Sequence, residues 1–173
     1  MVAFPFAEYL PAQNRKELMQ MRDVSLLSQT ILPLSLHGVN PRKIMRTSEW
    51  NKIKKEKQAL ANHHCMCCGE YVSHVPGDWL ECHEVYDIDL KNREFMLMDI
   101  VCLCKKCHAF IHQGRLGVLL SEGKVSREYY DEIIERGNKL LHDSNIEKRD
   151  LSSDEITNPN WCLVYNGKKY SNR

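Results

Sequence analysis

The sequence has no stretch approaching the roughly 20 apolar residues that carry a helix across a bilayer, no low-complexity tract, and no internal repeat beyond two cysteine pairs. The first of these absences argues against a membrane partner. The opening residues MVAFPFAEYLPAQNRK lack a basic start followed by an apolar run, so they do not read as a secretory signal, and the expectation is a cytosolic chain. Disorder, a collagen-like repeat and a coiled coil are argued against by an ordinary composition, 43% hydrophobic and 27% charged. Net charge is nearly absent too: the formal value of +1 says nothing about partners. At 173 residues the chain suits one main domain with added segments. A chain of that size buries roughly 70% of its unfolded surface without needing staples.

Cysteine, by contrast, is plentiful. Eight in a cytosolic chain point to metal rather than to disulfides. Charge is also segregated. Residues 42–57 hold seven basic residues against two acidic, a net +5, and residues 131–155 hold eight acidic against four basic, a net −4. The two regions cancel and hide a basic segment. Within it Lys52, Lys54, Lys55 and Lys57 are candidates for contact with a nucleic-acid backbone, and a solvated helix face is the plainer alternative.

The local pattern predicts mixed structure of the α+β class. Residues 1–47 read as an N-terminal accessory segment, with a short helix over Gln13–Arg22 and an apolar stretch Leu26–Leu36 broken by Pro33. A helix is predicted over 48–61, capped by Ser48, with Trp50, Ile53, Lys57 and Leu60 near one face. WLECHEVY (79–86) and EFMLMDIVCLC (94–104) read as two strands joined by the polar link Asp87–Arg93. A helix over 105–113, stopped by Gly114, follows. These pieces make a central zinc domain over 48–120. The remainder, 121–173, reads as a C-terminal extension: a helix over 126–142 capped by Ser126, an acidic connector over 143–155, and a hairpin turning at Asn166-Gly167.

The chemistry sits in the central part. Cys65-Met66-Cys67-Cys68-Gly69 and Cys104-Lys105-Lys106-Cys107 each supply a C-x-x-C, and Gly69 frees the backbone for the tight turn. Two such pairs complete the all-sulfur tetrahedron that Zn²⁺ favours in closed structural sites. A redox dithiol would not need a second copy. Cys67 could replace Cys65 or Cys68, and Cys102 and Cys162 read as strand-core residues. Between the pairs lie 35 residues, more than a bare zinc ribbon needs, and they carry Glu81-Cys82-His83-Glu84.

The helix with Trp50, then CMCCG, LECHEV and LCKKCHAFIH, resembles the HNH (ββα-metal) endonuclease family, in its small bacterial or phage subgroup with paired knuckles. The resemblance covers about residues 48–115. It implies a treble-clef-like ββα-metal fold and a nuclease of nucleic acid, DNA favoured. It implies His83 as the general base that activates water, and His108, with His112 four residues on, as ligands of a second divalent metal. Two imidazoles on one helix face suit Mn²⁺, Ni²⁺ or Zn²⁺ better than Mg²⁺.

The chain departs from the family pattern twice. Cys82 stands where a metal-binding Asp or His is usual, and Asp99 stands where an Asn orients the base. Asp99 is expected to accept a hydrogen bond from His83, with Asn92 as a substitute. The departures keep open a second function: a degenerate scaffold that binds nucleic acid or a protein without cutting, such as a phage-encoded regulator or inhibitor. His63 and His64 read as helix-end residues, and His37, His74 and His142 as isolated ones.

Overall fold

The computed structural model describes residues 22–73, 75–148 and 150–172. The helix expected over Gln13–Arg22 therefore lies almost wholly outside the described residues, and so does His74.

The apolar stretch after residue 22 folds as two 3-10 turns, Val24–Ser28 and Leu34–Leu36, separated at Pro33. Asp23 caps the first by accepting from the Ser25 amide. Helix α1, Pro41–Ile44, is capped by the Asn40 side chain and starts on a proline, whose missing N–H costs nothing at that position. Helix α2 spans Thr47–Ala61. Ser48 lies inside it rather than capping it: Arg46 takes the cap position and makes no side-chain cap bond.

After α2 the chain forms a long antiparallel hairpin, β1 Glu81–Asp89 and β2 Glu94–Leu103. The strand over 79–86 extends three residues further than expected because the link is tighter. Arg93 turns it at φ 56° and Asn92 hydrogen-bonds back to Asp89. The register is regular from Glu81↔Leu103 to Val85↔Asp99 and shifts by a bulge between Val85 and Tyr86.

Helix α3, Lys105–Ile111, follows directly. The chain is helical again as α4, Gln113–Ser121. Gly114 does not stop the helix as expected. The break falls at His112, at φ −92° and ψ 36°, and the next helix runs through Gly114. Helix α5, Arg127–Asp143, is capped by Ser126, as its sequence predicts. The acidic connector contains α6, Ser153–Thr157, opened by a reciprocal capping box of Ser152 and Glu155.

The terminal hairpin also forms. Strands β3, Cys162–Tyr165, and β4, Lys168–Tyr170, turn at Asn166 (φ 49°) and Gly167 (φ 70°), the pair of positive φ values that a two-residue hairpin turn requires. Its attachment is what the sequence does not announce. β3 pairs parallel with β2 and completes a four-stranded sheet of order β1-β2-β3-β4.

One core crosses all three sequence segments. Leu27 and Leu36 from the first, Phe95 and Phe110 from the second, and Ile133, Trp161 and Leu163 from the third are all buried together. Trp161 meets Phe95 edge-on at 5.2 Å and donates its indole N–H to the Glu155 carbonyl at 2.7 Å, which satisfies its one polar atom. Among the described residues no helix is long and apolar enough to cross a membrane.

Helices α3 and α5 pack closely at a glycine. A Cβ built on Gly137 would overlap the Phe110 ring, so that glycine is where the two helices touch. Gly137→Ala should therefore lower stability, although alanine is the better helix former. Overpacking costs about 1–3 kcal/mol, against a helix gain of about 1 kcal/mol. Urea unfolding at equal zinc content measures the balance, and an unchanged or raised midpoint would refute the close packing.

Candidate metal centres

The first pair of cysteines sits on a turn built by backbone bonds. Asn62 and His63 leave α2 with positive φ (43° and 66°). The Cys65 amide then donates to the Glu70 carbonyl at 2.9 Å, and the Gly69 amide to the Cys65 carbonyl at 2.8 Å, with Gly69 at φ 77°. The turn is tied to the hairpin: the Met66 amide donates to the Cys102 carbonyl at 2.9 Å. Cys104 directly follows β2 and is the cap residue of α3, so the strand-to-helix junction presents Cys104 and Cys107.

Cys65, Cys68, Cys104 and Cys107 converge, with their sulfurs all within 4.8 Å of one another. Cys68 and Cys104 are 3.8 Å apart, and a tetrahedron with ligands at 2.3 Å requires sulfurs about 3.8 Å apart. The four sulfurs therefore fit a metal ion such as zinc. Cys67, although fully buried, lies outside this set.

Within the cluster the protons are shared unevenly. Hydrogen bonds from Cys104 and Cys107 hold Cys65 far below an ordinary thiol and bring Cys68 down to about 6, while Cys104 and Cys107 are themselves pushed up. Arg136 of α5 reaches the same corner, 3.4 Å from the Cys68 sulfur and 2.8 Å from Glu70. A guanidinium there offsets the negative charge that four thiolates bring to a divalent ion.

The second convergence joins β1 to α3. His83, His108 and His112 have ligand nitrogens within 4.8 Å of one another, and their ring centroids are 4.6–5.3 Å apart. His83 is 5% exposed, and its buried Nδ1 has no hydrogen-bond partner. An orphaned buried nitrogen facing two other imidazoles is what a ligand set looks like before an ion is considered. His108 Nδ1 is bound to Glu81 Oε2 at 2.5 Å. That leaves Nε2 as its ligand atom and fixes the ring, the arrangement of a histidine ligand with its carboxylate. Glu81 escaped sequence reasoning, yet its signal was present: it stands two residues before His83 and so shares a strand face with it. Burial, then the neighbouring His112 and His108, push His83 down to about 3. Desolvation, then His108 and Arg115, push His112 down to about 4.

The cluster borders a cleft of about 490 Å³ along the outer edge of β1, an edge strand of the sheet. Arg42, Lys54, Lys105 and Arg115 line it against one acid, Glu81, and His108 and His112 face it. Arg42 donates to the Cys82 carbonyl at 3.1 Å and stacks on Trp50 at 4.9 Å. Lys105 sits over Trp79 at 5.1 Å.

Other expected site residues are placed differently. Asp99 is ion-paired with Lys57 and caps the Ile100 amide, so it does not orient His83. Asn92 is engaged in the hairpin turn. Lys57, with a side chain 12% exposed, is drawn inward by Asp99 and does not belong to an open basic face. Lys52 pairs with Glu56 at 4.0 Å, while Lys55 makes no contact that joins it to the cleft. Of the four lysines expected to contact nucleic acid, Lys54 alone reaches the cleft, and Arg42, Lys105 and Arg115 take the other cationic positions. His63 and His64 pack on Tyr71 and lie apart from both clusters.

Searches of protein-family models, of curated proteins and of solved structures returned no match to this chain. The fold and the two clusters define it as an α+β protein equipped to hold metal through four cysteines and through three histidines.

Two outcomes follow from this geometry. The purified protein should carry one zinc on the cysteines, and chelation should unfold the centre, since structural zinc contributes on the order of 10 kcal/mol to folding. Metal analysis with circular dichroism checks this, and a fully folded metal-free form would refute it.

The second outcome concerns His83, which is neutral when folded at pH 7 and would take up a proton near pH 6.5 when unfolded. Between about 3, its folded value, and 6.5 the unfolded chain binds more protons. Stability is therefore full above pH 6.5 and falls as pH drops towards 3, by up to about 1.4 kcal/mol per pH unit. In protein holding one zinc, His83→Asn should flatten the pH dependence of the unfolding midpoint by about one proton. An unchanged slope would mean that His83 is not held neutral.

Proposed function

We propose that the protein is a metal-dependent phosphodiesterase of the HNH type that cuts or nicks nucleic acid, DNA in the first instance. The observation that carries this reading is the convergence of three imidazoles beside a cleft lined with cations. A divalent ion bound by those nitrogens supplies Lewis acidity and lowers the pKa of a water it holds. Three nitrogen ligands favour Mn²⁺, Ni²⁺ or Zn²⁺ over Mg²⁺.

The chain's own residues have distinct parts in this reading. Arg42, Lys54, Lys105 and Arg115 attract and hold the phosphate backbone. Glu81 holds the His108 ring so that Nε2 points inward. His83 is buried and belongs to the ligand set, with no acceptor bonded to its free nitrogen, which supports a ligand role over that of a separate general base.

A second reading, a scaffold that binds nucleic acid without cutting, is favoured by two observations. The Cys82 side chain turns to Cys102, outside the histidine set, and Asp99 is held by Lys57. Neither family position is then available to assist cleavage.

Plasmid nicking in Mg²⁺, Mn²⁺, Ni²⁺ or Zn²⁺ tests the proposal. His83→Ala should lower the rate at least 10²-fold, within the range for losing one essential catalytic group. It should also weaken binding of the second metal while the cysteine-held zinc stays at one per chain. Loss of cleavage with unchanged affinity for the second metal would return His83 to the role of base. Binding of DNA without cleavage in any of the four metals would establish the non-cutting scaffold.

A further inference from the structure

Four cysteines lie outside the zinc knuckles, and two of them face each other. Cys82 of β1 and Cys102 of β2 are direct partners in the antiparallel register. Their sulfurs are 3.7 Å apart, with Cys82 6% exposed and Cys102 fully buried. Directly opposed residues of an antiparallel pair have Cα atoms about 4.5–5.5 Å apart, within the range that a disulfide spans. Cys67 is excluded from the zinc set, and Cys162 on β3 stands opposite Glu94, at the end of β2 away from Cys102. Among the described residues Cys82 and Cys102 are the one pair of non-knuckle cysteines in sulfur contact.

Access is one-sided. Cys82 forms part of the cleft wall, whereas Cys102 is sealed beneath it. A small oxidant entering the cleft meets Cys82 first, and the resolving thiol is already in contact with it. A zinc ion held by the knuckle cysteines would draw on one lone pair of each sulfur and make those sulfurs poorer nucleophiles than a free thiolate.

We propose that Cys82 and Cys102 are a redox-modification site that a hydroperoxide converts to a reversible cross-strand disulfide while the zinc knuckle stays intact. The step balances. The Cys82 sulfur attacks one oxygen of hydrogen peroxide and breaks the O–O bond; the other oxygen leaves as hydroxide and takes the thiol proton to form water. The Cys102 sulfur then attacks the Cys82 sulfenic sulfur, and that oxygen leaves as a second water with the Cys102 proton. Two thiols are oxidised by two electrons in all, and one peroxide is reduced to two waters. The site rests on the strand register and the sulfur contact, and it holds whether or not the protein cleaves nucleic acid.

The zinc-loaded full-length chain is treated with hydrogen peroxide, its remaining thiols are alkylated, and peptides are mapped without reduction. Released zinc is followed with a colorimetric chelator. The expected result is a 2 Da loss located to a Cys82–Cys102 cross-link, complete before zinc release exceeds a tenth of the total and reversed by dithiothreitol. Cys82→Ser should abolish the cross-link and leave Cys102 alkylatable after unfolding. Should that variant fold poorly, Cys102→Ala supplies the same control from the other strand, with Cys82 then ending as a sulfinic acid. The proposal is overturned if Cys82 and Cys102 remain reduced while knuckle cysteines oxidise, if zinc leaves first, or if the dominant cross-link joins another pair.

Discussion

The convergence of four sulfurs from two distant parts of the chain is the constraint on which the rest depends. Cys65 and Cys68 come from a turn after a helix, and Cys104 and Cys107 come from a strand end and the helix it feeds. Bringing them together closes a loop of nearly forty residues, and that loop is the β1–β2 hairpin with its lead-in. Loop closure costs entropy that grows slowly with length, so a strong ligand interaction at the base can hold a long insertion. The histidine cluster is built from that insertion and the helix that follows it. His83 is on its first strand, Glu81 stands two residues before it, and His108 is one residue past the last knuckle cysteine.

The two clusters are therefore coupled through α3. The first turn of this helix, with its cap residue, supplies Cys104 and Cys107 to one cluster and His108 to the other, and His112 marks where the helix ends. A shift of α3 that disturbed the sulfurs would also move two of the three imidazoles. α5 braces that helix from behind. Gly137 admits Phe110 at the contact, and Arg136, the adjacent residue, reaches the Cys68 sulfur and Glu70. The C-terminal third is thus part of the support of the cysteine cluster rather than an appendage. The same is true of the terminal hairpin, whose β3 extends the sheet beside β2 and buries Trp161 against Phe95.

Much of this was legible in residue order because it is local. The C-x-x-C spacing announces a knuckle, Ser126 announces a helix start, and Asn166-Gly167 announces a turn, each through chemistry within a few residues. The misreadings are also local signals, overridden by context. Ser48 is a competent cap placed two residues too late. Gly114 is a competent stop, but the helix had already broken at His112, where the ring turns towards its two partners. Asp99 is expected beside His83 and Lys57 on a nucleic-acid backbone, and instead they pair with one another between α2 and β2.

The sequence by itself determined the four cysteines that cluster, the hairpin between them and the three histidines that gather beside it, because cysteine spacing and strand alternation are written at short range. Tertiary structure alone decided which charges share a cleft and which atoms meet. Arg42, Lys54, Lys105 and Arg115 come from four separate helices and line one cleft only when those helices gather beside β1. Glu81 becomes a partner of His108 only across the gap between strand and helix. Cys82 reads in sequence as a missing metal ligand, and in the folded chain it is one half of a buried sulfur pair, because register, which no single strand encodes, sets Cys102 opposite it.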